Sequence, residues 1–406
     1  MMRRFGFAIL MLLVFATATS AITWDEAVSK ADNSNQIQSA KKQADASRWS
    51  YYRSLSGYLP QISANAGSST NYSSSGESTN YSYGISATQP IFKGFATTFA
   101  MQSAYAQSQY DQANLNFQKA DYYYQLRAAF VDVAVAQQNL EVQKKILAIR
   151  EDNSRMIKLL YENGKEDQGN YLKTKAQVDE AQYQSAAAKR DWDLAKFRLG
   201  QLIDADVDGA QIVWDATLEA SVDINQLKEI APSHQMYKYQ LEMAELNKKA
   251  TVSEFLPSVS LSGNLSNSGT EWPPTNTNKS LSLNFSLPLF NGGSTLSDYA
   301  IYSYRLDKAR EDFTKNGKDL VYGLKSAYDD LKDALQALTV QKEYLSASTE
   351  RAKIAQVKYL NGLASYNDWD IIQNEYISYQ RNINNYNRSA MLAEANFKKL
   401  YGGWIK

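Results

Sequence analysis

The chain has 406 residues, of which 44% are hydrophobic, and 43 Lys+Arg balance 43 Asp+Glu. It contains no cysteine and one histidine, His234, which removes disulfides, thiol catalysis, cysteine zinc sites and multi-histidine metal centres and argues against a Ser/His/Asp triad. The balanced charge lacks the basic surplus of a nucleic-acid binder, so no nucleic-acid partner is expected, and with no residue constellation for catalysis neither a cofactor nor enzymatic activity is expected.

Residues 1–21 read as a signal peptide: Arg3 and Arg4, an apolar run from Phe5 to Phe15, then small residues up to Thr19-Ser20-Ala21. The mature chain is expected to start at Ile22, with a cut after Ala18 as the near alternative. No later stretch is apolar enough for a spanning helix, so a membrane could be crossed only by strands.

The rest is a tandem duplication. Tyr58-Leu59-Pro60-Gln61-Ile62-Ser63 recurs 197 residues later as Phe255-Leu256-Pro257-Ser258-Val259-Ser260. Gln89-Pro90-Ile91-Phe92-Lys93-Gly94 recurs at an offset of 198 as Leu287-Pro288-Leu289-Phe290-Asn291-Gly292, and Tyr161-Glu162-Asn163-Gly164 as Tyr359-Leu360-Asn361-Gly362 at the same offset. Repeat 1 covers 22–200 and repeat 2 covers 225–406, joined by a less periodic connector over 201–224.

Each repeat is expected to run helix, strand, strand, long helix, return helix. In the first, strands fall at about 60–70 and 80–92, a long helix at about 95–162 and a return helix at 170–199. Between Gly94 and Gly164 there is neither Gly nor Pro, which allows a helix of about 100 Å. Its apolar residues follow two seams, one through Leu126, Phe130, Val133 and Leu140, the other through Val131, Val135, Val142 and Ile149. Two seams suit a helix gripped from both sides in a sheet of coiled coils; one broad stripe in a large bundle is the alternative. The second repeat places strands at about 257–267 and 279–290, a long helix at about 294–361 and a return helix at 368–401.

The strands alternate. Leu281, Leu283 and Phe285 interleave with Ser282, Asn284 and Ser286, and Tyr83, Ile85 and Ala87 with Gly84, Ser86 and Thr88. Such a pattern suits a membrane barrel with a wet lumen, and a soluble sandwich would alternate too. Segments rich in Ser, Asn and Gly, from Ser68 to Asn80 and from Asn267 to Lys279, read as polar hairpin loops. Pro60, Pro90, Pro257 and Pro288 mark strand borders, with Gly94 and Gly292 at the strand-to-helix transitions. Four strands cannot close a membrane barrel, whose minimum is about eight, so spanning requires several chains.

Taken in order, the signal peptide, the LP-x-[IV]-S strand start, the [QL]-P-[IL]-F-x-G strand exit, the long helix, the Y-x-x-G turn and the closing helix, nearly all of it twice, resemble the TolC family of outer-membrane efflux channels. The resemblance covers about Ile22 to Lys406. It implies a mainly α protein with membrane β: a homotrimer whose 12-stranded β-barrel, four strands per chain, sits in outer-membrane lipid and continues into a long periplasmic α-helical barrel, the connector lying at its equator. The implied job is a passive exit duct of a tripartite efflux pump or type I secretion system. Its partners would be a periplasmic adaptor and an inner-membrane pump of RND, ABC or MFS type.

The turns after the long helices would then be the periplasmic tips, carrying the gate and the adaptor-docking surface. Tyr161, Gly164, Leu172, Gly362 and Trp369 are the expected tip and docking residues, and Asp368, Tyr359 and Asn170 the gate. Asn170 and Asp368 each suit an N-cap, and Asp368 resembles one of the acids that ring the entrance. Where the family expects a second acid this chain has Ile371, and where it expects an arginine beyond the turn glycine it has Ala364. A neutral Tyr359–Asn170 hydrogen bond is therefore expected in place of a charged network. Glu166-Asp167 and Asp329-Asp330 read as solvated faces, Tyr122-Tyr123-Tyr124 as helix packing, and His234 as a residue near a helix start. The competing reading is a soluble periplasmic coiled-coil adaptor or scaffold.

Overall fold

A computed structural model describes residues 21–74, 76–213, 216–218 and 222–405. The expected signal peptide lies outside these residues, apart from Ala21. Among them run α1 (Trp24–Ala31), α2 (Asn35–Ser54), β1 (Gln61–Ser73), β2 (Gly76–Lys93), α3 (Ala96–Glu162) and α4 (Gln168–Ile203) in the first repeat. The second has α5 (Ile224–Ile230), α6 (Pro232–Thr251), β3 (Ser258–Gly269), β4 (Asn276–Ser286), α7 (Ser294–Leu360) and α8 (Tyr366–Tyr401). Both long helices have 67 residues and both return helices 36. No described helix is long and apolar enough to cross a membrane.

The chain divides into two compact units, each drawing on both repeats. The sheet unit takes in Asn35–Tyr124, Thr217–Asp333 and the chain from Ala393. Its sheet is antiparallel in the order β1-β2-β3-β4, so β1 and β4 are the edges. The register sorts the sequence alternation into two faces. Ile62 lies opposite Ala87, Ala64 opposite Ile85, Ile85 opposite Leu265, Leu261 opposite Leu283 and Val259 opposite Phe285, which puts the apolar residues of all four strands on one face. The other face carries the rows Ser63–Ser86–Asn264–Ser280 and Thr88–Ser262–Ser282, with a 2.8 Å hydrogen bond between the Ser63 and Ser86 hydroxyls. The apolar face is bare: Leu283 is 68% exposed, and Ile62, Ile85, Leu281 and Phe285 are exposed as well.

Two strand expectations need correction. The polar stretch Ser68–Asn80 is not a loop, because β1 and β2 stay paired down to Ser73–Gly76 and Thr70 bonds Thr79 across the ladder at 3.0 Å. Hydroxyl and amide side chains can satisfy one another across paired strands, so a turn-like composition does not end pairing there. Conversely β4 stops at Ser286 instead of about 290. Its neighbour β3 starts at Ser258, directly opposite Ser286, so residues 287–290 meet no β3 backbone. Pro90 lies at a shift in the β2–β3 register, where its missing N–H is tolerated, and Pro60 and Pro257 directly precede β1 and β3.

The helical unit takes in residues up to Ser34 together with Gln125–Ala216 and Ala334–Leu392. Leu126, Phe130, Val133 and Leu140 of the first seam are buried, as are Val131 and Val135 of the second, whereas Val142 and Ile149 of the second are half-buried. Val131 and Val135 pack on Met391, and Phe130 meets the Trp24 ring edge-on at 5.7 Å, so two faces of α3 have different neighbours. Residues 204–213 of the connector are fastened to the chain start by a parallel bridge between Ile22 and Ala210.

Candidate functional site

The α3–α4 and α7–α8 turns of the helical unit carry the expected gate. Both are built alike. The Lys165 N–H donates to Leu160 O (2.8 Å) and that of Leu363 to Lys358 O (2.8 Å), with Gly164 at φ 69° and Gly362 at φ 71°. Glycine takes this left-handed conformation without the Cβ clash that other residues incur, which is why the turn glycine occurs in both repeats. The side chains repeat as well: Tyr161 stacks on Tyr171 at 5.6 Å and Tyr359 on Trp369 at 5.1 Å, pairs related by the same offset of 198.

The N-caps lie three residues earlier than expected. Asp167 caps α4, its carboxylate accepting from the Asn170 N–H at 2.9 Å. At α8 the Asp368 N–H donates to Ser365 Oγ (3.2 Å), and the Ser365 hydroxyl donates back to Asp368 Oδ2 (2.6 Å). Asn170 and Asp368 thus occupy the third helical position, closing the cap from inside.

Nor does Tyr359 bond Asn170. Its hydroxyl donates to Glu166 Oε2 at 2.6 Å, while Asn170 Nδ2 donates to Glu166 Oε1 (2.9 Å) and Asp167 Oδ2 (2.8 Å). The tip therefore holds a carboxylate under the tyrosine, supplied by Glu166, four residues before Asn170, in place of the neutral contact that was expected. Burial first and Glu166 second push the Tyr359 hydroxyl far above its ordinary range. Tyr366, buried beside it, is pushed up to about 12, mainly by burial and then by the Asp370 charge.

Trp369 was expected on the docking surface. It is 1% exposed and forms the tip core with Ile157, Ala355, Tyr359 and Tyr366, so its part is to hold the turn. Leu172, Leu363 and Ile371 are among the exposed apolar side chains nearby, with Tyr161, Leu159 and Leu360, and Asp368 is exposed. A second polar cluster was not anticipated. Asp370 is 4% exposed and accepts from Lys173 Nζ at 2.7 Å and Gln177 Nε2 at 3.1 Å, and Arg150 bridges Gln177 and Asn374. Burial lowers the pKa of Arg150, and the Asp370 charge opposes that shift. Three elements, α3, α4 and α8, are thereby tied together through one buried carboxylate. The sequence signal for Glu166 and Asp167 was the offset itself, since Asp167 plus 198 is the capping Ser365; Asp370 has no such counterpart, because Leu172 stands at its equivalent.

At the strand-to-helix transitions, Gly94 (φ 58°) and Gly292 (φ 61°) share the left-handed conformation but not the surroundings. A Cβ on Gly94 would lie 2.6 Å from Ser253 O and 2.8 Å from Leu256 Cβ, whereas one on Gly292 would meet nothing within 4 Å. Phe92 and Phe95 pack edge-on at 5.2 Å at this end of the sheet, and Tyr81 and Tyr83 each pack on Trp272 at 6.0 Å at the hairpin end.

Residues 28–204 and 224–403 match the outer membrane efflux protein family. The outer membrane efflux protein BepC of Brucella suis is 23% identical over 338 residues, covering 78% of this chain and 73% of BepC. A probable outer membrane lipoprotein of Salmonella typhimurium, SilC, is 27% identical over 181 residues, which span 42% of this chain and 38% of SilC. Among solved structures, that of CusC superposes with a TM-score of 0.85 over 93% of this chain and 91% of CusC at 14% identity, a likeness of fold. The double match, one per repeat, and the shared fold establish that the chain belongs to the outer membrane efflux protein family, the TolC-type channels.

Proposed function

We propose that three copies of this chain assemble into the exit duct of an efflux or secretion machine, each contributing four strands to a 12-stranded barrel in the outer membrane. The observation that carries this reading is the sheet. One face is apolar and bare, the other is a lattice of serine, threonine and asparagine, and its edges β1 and β4 have no partner among the described residues. A free apolar face with unpaired edges is unstable in water and becomes stable when copies pair edge to edge in lipid. The dimensions agree: the twelve residues from Tyr81 to Phe92 span about 36 Å along a strand and about 25 Å along the axis of a tilted barrel.

The turns at Gly164 and Gly362 would face the periplasm. There the Tyr359–Glu166–Asn170 contacts brace each tip, three copies of Asp368 ring the entrance, and Tyr161, Leu172 and Leu363 offer apolar surface to a periplasmic adaptor. An inner-membrane pump of RND, ABC or MFS type would supply energy and choose the cargo; the duct itself conducts passively. The test is membrane fractionation followed by gel electrophoresis with and without heating. A heat-sensitive trimer in the outer membrane supports the duct. A monomer in the periplasmic fraction would overturn it in favour of a soluble adaptor.

A further inference from the structure

In the sheet unit a groove opens between the α5–α6 corner and one face of α7. The corner supplies Lys228 and His234; Lys318, Val321 and Lys325, spaced three and four residues apart, line the other wall. Gly317 on that wall faces the imidazole, where a Cβ would make an ordinary 3.7 Å contact, and Phe313 stacks on the ring at 4.9 Å. His234 is 2% exposed, and its Nδ1 is buried in the groove lining without a hydrogen-bond partner. Lys228 is paired with Glu229 at 2.9 Å, and the same carboxylate lies 3.6 Å from His234 Nε2. Lys318 and Lys325 are exposed and form no ion pair among the described residues. The groove therefore has an apolar floor and a positive rim in which Lys318 and Lys325 lack a counter-charge among the described residues, while Lys228 is already paired with Glu229.

The complementary charge lies in the connector, where Asp204, Asp206 and Asp208 are all exposed and equally without ion pairs among the described residues. Topology indicates which copy would bring it. When several sheets close into one barrel, β4 of one copy pairs with β1 of the next. Because α7 follows β4 and α2 precedes β1, α7 then runs beside the next copy's α2. Asn35, where α2 begins, is 26 residues before β1, and Lys318 is 32 residues beyond β4, so both lie about 40–50 Å from the sheet. The chain leading into α2 is fastened to the connector: the Ile22 N–H donates to Gly209 O and the Gln211 N–H to Ile22 O, each at 3.0 Å.

We propose that Asp204, Asp206 and Asp208 of one copy seat against the Lys228–Lys318–Lys325 rim of the next, forming an ionic girdle that fixes the neighbour's position. This rests on the oligomeric reading above. The experiment therefore first establishes the oligomer of the unaltered protein by heat-sensitive electrophoresis; a monomer at that step would remove both readings, and everything after it bears on the girdle alone. Because the chain has no cysteine, copies carrying Lys318→Cys and copies carrying Asp206→Cys, each with its own tag, are co-expressed and treated with a short bis-maleimide. A cross-linked species bearing both tags is expected, with none from either variant expressed alone. Its absence in a proven oligomer would overturn the girdle.

Charge reversal gives the second arm. Lys318→Glu with Lys325→Glu, and separately Asp204→Lys with Asp206→Lys and Asp208→Lys, should each lower the temperature at which the oligomer dissociates. Combining the two sets should recover at least half of the loss. Failure to recover would contradict the pairing. Protection of Lys318→Cys from maleimide by added inorganic polyphosphate, with no cross-link between copies, would assign the groove to a free polyanion and overturn the proposal.

Discussion

At the scale of single residues, the tip depends on side chains kept neutral beside a carboxylate. The hydroxyls of Tyr359 and Tyr366 are both raised above their ordinary value of 10.0 because burial, together with Glu166 or Asp370, disfavours the phenolate. Below pH 10 both tyrosines are protonated in the folded and unfolded chain alike, and their contribution to stability is fully present. As pH rises from 10 towards 12 the unfolded chain loses these protons while the fold retains them, so the tip weakens. Fluorescence of the tryptophans should therefore report a loosening around Trp369 between pH 10 and 12, and Tyr366→Phe should shift it upward. An unchanged transition in Tyr366→Phe would show that this hydroxyl is not strained by its surroundings. That Tyr359 takes part in the tip was legible in the duplicated Y-x-x-G turn. That its partner is Glu166 was not, because a Glu-Asp pair in a polar turn has the composition of a solvated loop; what singles it out is its position against the buried ring cluster of the other repeat.

At the scale of elements, the strands and long helices were legible because their signals are strong. Alternation at period two located all four strands, and 69 residues without Gly or Pro located α3. Strand ends were less legible, since pairing is decided by the neighbouring strand: β1 and β2 outrun their polar composition because each pairs with the other, and β4 stops short because β3 begins at Ser258. The two faces of β4 give a direct contrast. Leu283→Lys places a charge on the apolar face and should cost about 2–4 kcal/mol near the bilayer midplane, reducing the outer-membrane oligomer, whereas Ser282→Lys on the polar face should assemble normally. Equal loss from both, measured as oligomer yield, would contradict the assignment of faces.

The transition glycines differ in the same testable way. Gly292→Ala meets only the conformational cost of a left-handed residue, about 1–2 kcal/mol. Gly94→Ala adds a clash with the Ser253 carbonyl and the Leu256 side chain, neither of which can withdraw without moving the turn ahead of β3. Its oligomer should dissociate at a clearly lower temperature than that of Gly292→Ala, and the reverse order would show that the β2–α3 junction is not held against the second repeat.

At the scale of the molecule, duplication accounts for the plan of the chain. Two copies of one helix–strand–strand–helix–helix plan supply a sheet with one apolar and one polar face, and a set of helices whose ends are closed by matching glycine turns and matching stacked rings. Where the repeats diverge, at Glu166 against Ala364 and at Leu172 against Asp370, the chain gains contacts that tie one repeat to the other. The family and the fold are those of a channel. The most direct test is single-channel recording across a planar bilayer with the purified, unheated oligomer. Discrete, uniform conductance steps that vanish when the same sample is heated to monomers are the expected result. A lipid-inserted oligomer that passes no current under any applied voltage or pH would contradict the reading of this chain as a duct.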